Sequence, residues 1–169
     1  MMARKMPKQK PGKSETIVRT PPEFLQAVKR FLGIKYFAID LAALPNNSVG
    51  LGHYTPKDDA LSKVWSKYVK VDWCWLNPPY DNIRPWAKKC AEESKKGVRI
   101  AFLIPASVGS NWWRDYVHEK ARVYFLNGRL TFLYADGTRH KGPYPKDLAL
   151  VLYGDEPGYD VWNWRKEQS

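Results

Sequence analysis

Phe24, Leu25, Val28, Phe31 and Leu32 recur at helical spacing, which predicts an amphipathic helix with one buried face. Thr20-Pro21-Pro22-Glu23 precedes them in the T-x-x-E form of a capping box, with proline at the first helical position. Gly33 stands where a left-handed C-terminal cap belongs. Residues 35–40 (KYFAID) are short, aromatic and β-prone, and read as a strand ending on an acid. Residues 44–57 are rich in Asn, Gly and Pro and read as a loop. Leu61, Val64, Trp65 and Tyr68 mark a second helix, and residues 71–76 a second strand.

The clearest unit follows Asn77-Pro78-Pro79-Tyr80. Ile83, Trp86, Ala87, Cys90 and Ala91 fall at i, i+3, i+4, i+7 and i+8, and Lys95-Lys96-Gly97 closes that helix. Residues 98–104 (VRIAFLI) form a nearly continuous apolar run, as expected of a strand covered on both faces. Residues 111–119 predict a short helix, and residues 122–126, 130–134 and 148–153 the remaining strands. Strand and helix alternate through the middle while strands pair at the end. The fold class expected is therefore α/β, with a largely parallel central sheet and a C-terminal antiparallel hairpin. In such sheets ligands bind beyond the C-terminal ends of the strands. Asp40 and Asn77 each follow a predicted strand, so both are expected on that edge.

Composition narrows the function classes. The chain has 169 residues, the size of one domain, and residues 16–169 are read as that domain. Residues 1–15 are basic and rich in Pro and Gly, and read as a flexible tail. Lys and Arg number 28 against 17 Asp and Glu, a net charge of +11 that points to a polyanionic partner, most simply nucleic acid. No apolar run reaches the length of a membrane span. Cys74 and Cys90 form no metal-ligand or disulfide pattern, and no metal is expected. A cytoplasmic location fits that cysteine usage.

Asn77-Pro78-Pro79-Tyr80 lies between an apolar strand and an amphipathic helix. It resembles the [DNS]PP[YFW] catalytic loop of the amino-methyltransferases that use S-adenosylmethionine. By that resemblance Asn77, Pro78, Pro79 and Tyr80 are the catalytic residues. The exocyclic amine of adenine is a poor nucleophile because its lone pair is delocalised into the ring. The Asn77 side-chain oxygen and the Pro78 carbonyl would accept its two N–H bonds and aim the lone pair at the methyl group. Consecutive prolines stiffen the loop, and Tyr80 offers a face on which a flipped base can stack.

From about Thr20 to Tyr153 the layout is similar to the phage-type DNA N6-adenine methyltransferases, the small Dam-like enzymes. Thr20-Pro21 heads a helix, Asp40 ends a strand, Leu61 and Trp65 precede the NPPY loop. Ile104-Pro105-Ala106, Trp112, Trp113 and Gly128-Arg129-Leu130 with Phe132 follow it. The resemblance implies a Rossmann-like fold that binds S-adenosyl-L-methionine against Thr20, Pro21, Asp40, Asn77 and Pro78. It implies an adenine-specific DNA methyltransferase acting on duplex DNA.

Two departures stand beside it. No G-x-G-x-x-G loop is present, and Asn77 stands where many adenine-specific DNA enzymes carry Asp. Asn is also found in methyltransferases of protein glutamine. RNA adenine and protein glutamine are therefore alternative substrates, and a non-catalytic nucleic-acid-binding module is the alternative class. The basic loop at residues 135–146, with Arg139, Lys141 and Tyr144, is the candidate DNA-recognition element, and Arg129 a candidate phosphate contact. Asn46 and Asn47 are candidates to line the cofactor pocket.

Overall fold

The computed structural model describes residues 18–67 and 72–168. The expected N-terminal tail, and Tyr68 and Val71, lie outside the described residues. Helix α1 spans Pro22–Leu32 and ends as its sequence predicts. Gly33 takes a left-handed φ of 66°, its N–H donates to Arg30 O, and Ile34 N–H donates to Lys29 O at 2.9 Å. That double closure satisfies two otherwise orphaned carbonyls. The start differs from the expected capping box. The N-cap is Pro21, and no side chain caps the helix. Thr20 and Glu23 are both engaged elsewhere, as described below.

Among the described residues, seven strands, β1 (Phe37–Asp40), β2 (Gly50–His53), β3 (Trp73–Leu76), β4 (Arg99–Pro105), β5 (Arg122–Asn127), β6 (Leu148–Tyr153) and β7 (Gly158–Asn163), form one sheet. Their order is 2-1-3-4-6-5-7. Strand β6 runs antiparallel to both its neighbours, β4 and β5, and the other neighbouring pairs are parallel. The α/β class and mostly parallel sheet agree with the sequence. The C-terminal hairpin does not. Strands β5 and β6 pair antiparallel, but residues 128–147 separate them, and β7 returns to pair parallel with β5.

Three further elements depart from expectation. The loop at residues 44–57 contains β2, whose Gly-Leu-Gly-His sequence carries no apolar alternation. Residues 130–134 form no strand of the sheet, and Leu133 makes isolated bridges to Arg19 and Arg139 instead. The expected helix at residues 61–68 is replaced by 3₁₀ turns at Pro56–Asp58, Ala60–Ser62 and Trp65–Lys67. Asp59 takes a left-handed φ of 49° between the first two turns, and Lys63 is extended between the second and third, so no continuous helix runs through them. Side-chain anchors hold this run. The Trp65 indole N–H donates to Ala60 O at 2.9 Å, and the fully buried Glu93 carboxylate accepts from Ser66 N–H at 2.9 Å.

Strand alternation divides the core between the two faces of the sheet. Ile100, Phe102 and Ile104 of β4 pack with Ala87, Cys90, Trp113 and Val117. Those residues come from α2 (Arg84–Ser94), α3 (Asn111–Tyr116) and the turn after it. Ala101 and Leu103 face the other way, against Phe24 and Val28 of α1 and Trp162 and Trp164 at the C-terminus. Helices thus cover both faces, and the strand ends are left to form the site.

Candidate active site

Strand β2 lies on one side of β1 and β3 on the other. The direction of winding therefore reverses between β1 and β3, and a crevice opens where their C-terminal ends diverge. Asp40 ends β1 and Asn77 follows β3, so the two residues flank that crevice.

Asp40 turns inward. It is 4% exposed, and its carboxylate accepts from Ala42 N–H at 3.2 Å and Val49 N–H at 3.1 Å. Burial pushes its pKa up to about 6, against the opposing pull of those two amides and of His53. The effect is to fold residues 41–49 back over the strand end. Behind them lies a cavity of about 680 Å³, within the roughly 300–1,000 Å³ usual for small-molecule and cofactor sites. Leu41, Ala43, Tyr54 and Trp86 give it apolar walls, while Arg19, Asn46, Asn47 and Asp59 bring polar groups to it. Asn46 and Asn47 were expected here. Arg19, Tyr54, Asp59 and Trp86 carry no signal in the sequence, because the turns and the helix that deliver them meet only in the fold.

Asn77 is held at both ends of its amide. Nδ2 donates to Thr20 Oγ1 at 3.0 Å, and Oδ1 accepts from the Tyr80 hydroxyl at 2.8 Å. Thr20 therefore serves Asn77 instead of capping α1. Burial pushes the Tyr80 phenol well above its ordinary pKa, so it stays a donor at neutral pH. Pro78, Tyr80, Phe132 and Tyr144 border a second cavity of about 210 Å³. Tyr144 meets both Tyr80 and Phe132 edge-on, with ring centroids 5.7 Å apart in each case. Pro79 lines both cavities. The second proline of the loop is thus the wall at which a large pocket and a small aromatic one meet.

Thr20, Pro21, Asp40, Asn77 and Pro78 were expected against a cofactor. None of the five is among the residues lining the large cavity: Thr20, Pro21 and Asp40 are buried beside it, Asn77 is half-buried, and Pro78 lines the small cavity instead. The candidate DNA contacts separate in the same way. Tyr144 walls the small cavity, and Lys141 is exposed. Arg139 instead grips the Glu23 carboxylate with both nitrogens, at 2.6 and 3.0 Å. That guanidinium holds Glu23 below the usual carboxylate range. Arg129 donates to Pro145 O at 2.6 Å and lies 3.6 Å from Asp147. Arg139 thus braces the segment at residues 128–147 against α1, while Arg129 joins the two ends of that segment to each other.

Burial pushes the Cys74 thiol up to about 12 and Cys90 well above its ordinary value, so neither supplies a thiolate. Among the described residues, no group of three His, Cys, Asp or Glu gathers to hold a metal ion. None of their helices is long and apolar enough to cross a membrane.

Comparison with known proteins supplies a family. Residues 9–155 match the family model described as DNA N-6-adenine-methyltransferase (Dam). A DNA N-6-adenine-methyltransferase of Haemophilus phage HP1 is 26% identical over 142 residues, covering 83% of this chain and 79% of the relative. One from Escherichia phage T1 is 30% identical over 112 residues, covering 66% of this chain and 45% of the relative. The family match takes in Thr20, Asp40 and the Asn77–Tyr80 loop, and it ends only after β6. On that extent of agreement, the chain belongs to the Dam family of DNA N-6-adenine-methyltransferases.

Proposed function

We propose that this protein transfers a methyl group from S-adenosyl-L-methionine to the N6 amine of adenine in duplex DNA, on a Rossmann-like fold. The observation that carries the reading is the Asn77 amide, fixed by Thr20 and Tyr80 beside the Pro79 wall between the two cavities.

The large cavity fits the cofactor by the chemistry of its lining. Leu41, Tyr54 and Trp86 suit the apolar faces of an adenosyl group. Asn46, Asn47 and Asp59 offer partners for ribose hydroxyls and an ammonium, and Arg19 for a carboxylate. When bound, the cofactor supplies a methyl group made electrophilic by its positively charged sulfur. Asp40, Thr20 and Pro21 act from behind, Asp40 by holding residues 41–49 and Thr20 by holding Asn77.

The small aromatic cavity receives a base turned out of its stack, against the rings of Tyr80, Phe132 and Tyr144. Asn77 Oδ1 has two lone pairs and spends one on the Tyr80 hydroxyl, leaving the other for an adenine N–H. The Pro78 carbonyl accepts the second N–H. With both hydrogens drawn aside, the nitrogen lone pair is freed from the ring and directed across the Pro79 wall. After transfer the nitrogen returns one proton to solvent. The gain comes mainly from positioning, and no strong base is required. The exposed Lys141 supplies positive charge toward the DNA backbone, while Arg129 and Arg139 reach it by exchanging Asp147 and Glu23 for phosphates.

The test is methyl transfer from labelled cofactor to unmethylated duplex DNA, RNA and protein in parallel, followed by mass analysis of the digests. N6-methyladenine from DNA is expected. Asn77→Ala is expected to abolish it while keeping the cofactor-induced rise in melting temperature. Label in RNA or in protein glutamine overturns the substrate. No label and no cofactor-induced rise overturns the enzyme reading in favour of a binding module.

A further inference from the structure

We propose that a groove on the far side of Tyr80 seats the nucleotide next to the target adenine. In this arrangement the neighbour's phosphate lies on Arg84 and Lys146 and its base against Trp112. The inference rests on the DNA-methylating reading above and extends it to a second substrate position.

A third cavity, of about 290 Å³, shares Tyr80 and Tyr144 with the small aromatic one. It is built from the turn at residues 80–84, the end of β4 at Pro105, Ser107, Trp112 and Lys146. The three hollows therefore follow one another along the strand ends. The first lies beyond β1, the second at the loop after β3, and the third between that loop and β4. A strand that presents one base at the middle hollow places its neighbour at the third.

The lining changes character along this line. Prolines and aromatic rings dominate the middle cavity. The third adds two cations, the Asn82 amide, the Ser107 hydroxyl and the Asp81 carboxylate. Those are the groups that contact phosphates and base edges. Arg84 lies over the Tyr116 ring at 5.5 Å and only 3.9 Å from Asp115, with its side chain 56% exposed. Such a loose, exposed pair yields readily to a phosphate, which offers charge-assisted hydrogen bonds. Lys146 is exposed at the rim. Trp112 is half-buried against Trp113, with ring centroids 5.8 Å apart, so its plane is fixed before a base arrives. Asp81 is the acid in the groove and presents an acceptor to a base amino group. This gives the groove a means of preferring one flanking base over another.

The test uses the full chain and the variants Lys146→Gln, Arg84→Gln and Trp112→Leu. DNA binding is followed by fluorescence anisotropy across a salt series. Methylation is followed on a duplex library randomised around the target. Each cation variant is expected to reduce the salt slope by about 0.9. It is expected to raise KM for DNA about tenfold, with the loss falling on KM more than on kcat. Trp112→Leu is expected to flatten the base preference at one flanking position. The cofactor-induced melting shift should persist in all three. Should Trp112→Leu fail to fold, the two cation variants still decide. Wild-type methylation of DNA with unchanged slopes and unchanged flanking preference in the variants overturns the groove alone. A wild-type chain that neither methylates nor binds DNA overturns the functional reading, and the groove with it.

Discussion

The Tyr80 hydroxyl donates to Asn77 Oδ1 at 2.8 Å, so the ring and the amide of one loop are locked to each other. Thr20, 57 residues earlier in the chain, holds the opposite end of that amide at 3.0 Å. Rotation of Asn77 by half a turn would set its NH₂ against the position where an adenine N–H must be accepted. The two bonds keep the acceptor facing the substrate.

Tyr80→Phe keeps the ring and deletes one of these bonds. A neutral hydrogen bond contributes about 1 kcal/mol, so kcat is expected to fall about fivefold, with KM for DNA little changed. Thr20→Val should behave alike, because it leaves α1, which has no side-chain cap, intact. Tyr80→Ala also removes the ring and should cost considerably more. Steady-state methylation with kcat and KM resolved separately checks all three. A loss carried entirely by a raised KM would show that the hydroxyl does not position Asn77.

Arg139 and Glu23 join the segment at residues 128–147 to the first turn of α1. Both side chains are partly exposed, so a double-mutant cycle in urea should give a coupling below about 1 kcal/mol that shrinks with salt. Glu23→Gln releases the guanidinium and is expected to steepen the salt dependence of DNA binding. Adding Arg139→Ala should reverse that gain.

Asp40 gives a pH dependence of stability with a definite sign. Its folded pKa of about 6 lies above its ordinary value, so the folded state binds the proton more tightly. The resulting stabilisation is complete below the unfolded value and is lost as pH rises through about 6. Between pH 7 and pH 5 this group should add about 1.4 kcal/mol to unfolding stability. Urea titrations of wild type and Asp40→Asn across that range should diverge by this amount. Parallel curves would show that Asp40 does not titrate there.

Gly50 pairs with Phe37 in the parallel ladder of β1 and β2. A Cβ at Gly50 would meet Asp40 N at 2.5 Å and Ile39 C at 2.6 Å, both backbone atoms that cannot swing aside. Gly50→Ala should therefore destabilise by about 1–3 kcal/mol. It should also weaken the cofactor-induced melting shift, because it pushes on the residue that holds the loop at residues 41–49. A thermal melt with and without cofactor measures both effects.

Elements whose residues announce their own environment were legible in the sequence. The period of Phe24 to Leu32 with Gly33 behind it gave α1, and the run at residues 98–104 gave β4. Edge strands were not. Leu51 is 70% exposed in β2 and Val161 is 70% exposed in β7, so neither shows the burial pattern by which strands are recognised. The 3₁₀ turns from Ala60 to Lys67 were misread because Trp65 is tied to Ala60 through its indole N–H and Ser66 to Glu93, not arranged on a helical stripe. The NPPY loop was legible because it is local. The Thr20–Asn77 and Glu23–Arg139 partnerships were hidden, since the local T-x-x-E spacing suggested that Thr20 and Glu23 serve each other.

Strand β6 is synthesised after β5 yet lies between β5 and β4. The two earlier strands cannot pair with each other and must wait, unjoined, for residues 148–153. Until those residues emerge, the apolar β4 presents an open edge, the state most prone to intermolecular strand pairing. A nascent chain cut between Asn127 and Leu148 therefore holds the four paired strands β2-β1-β3-β4 and a β5 with no neighbour. The sheet is joined into one only after residues 148–153 emerge, by a closure between distant segments that slows folding.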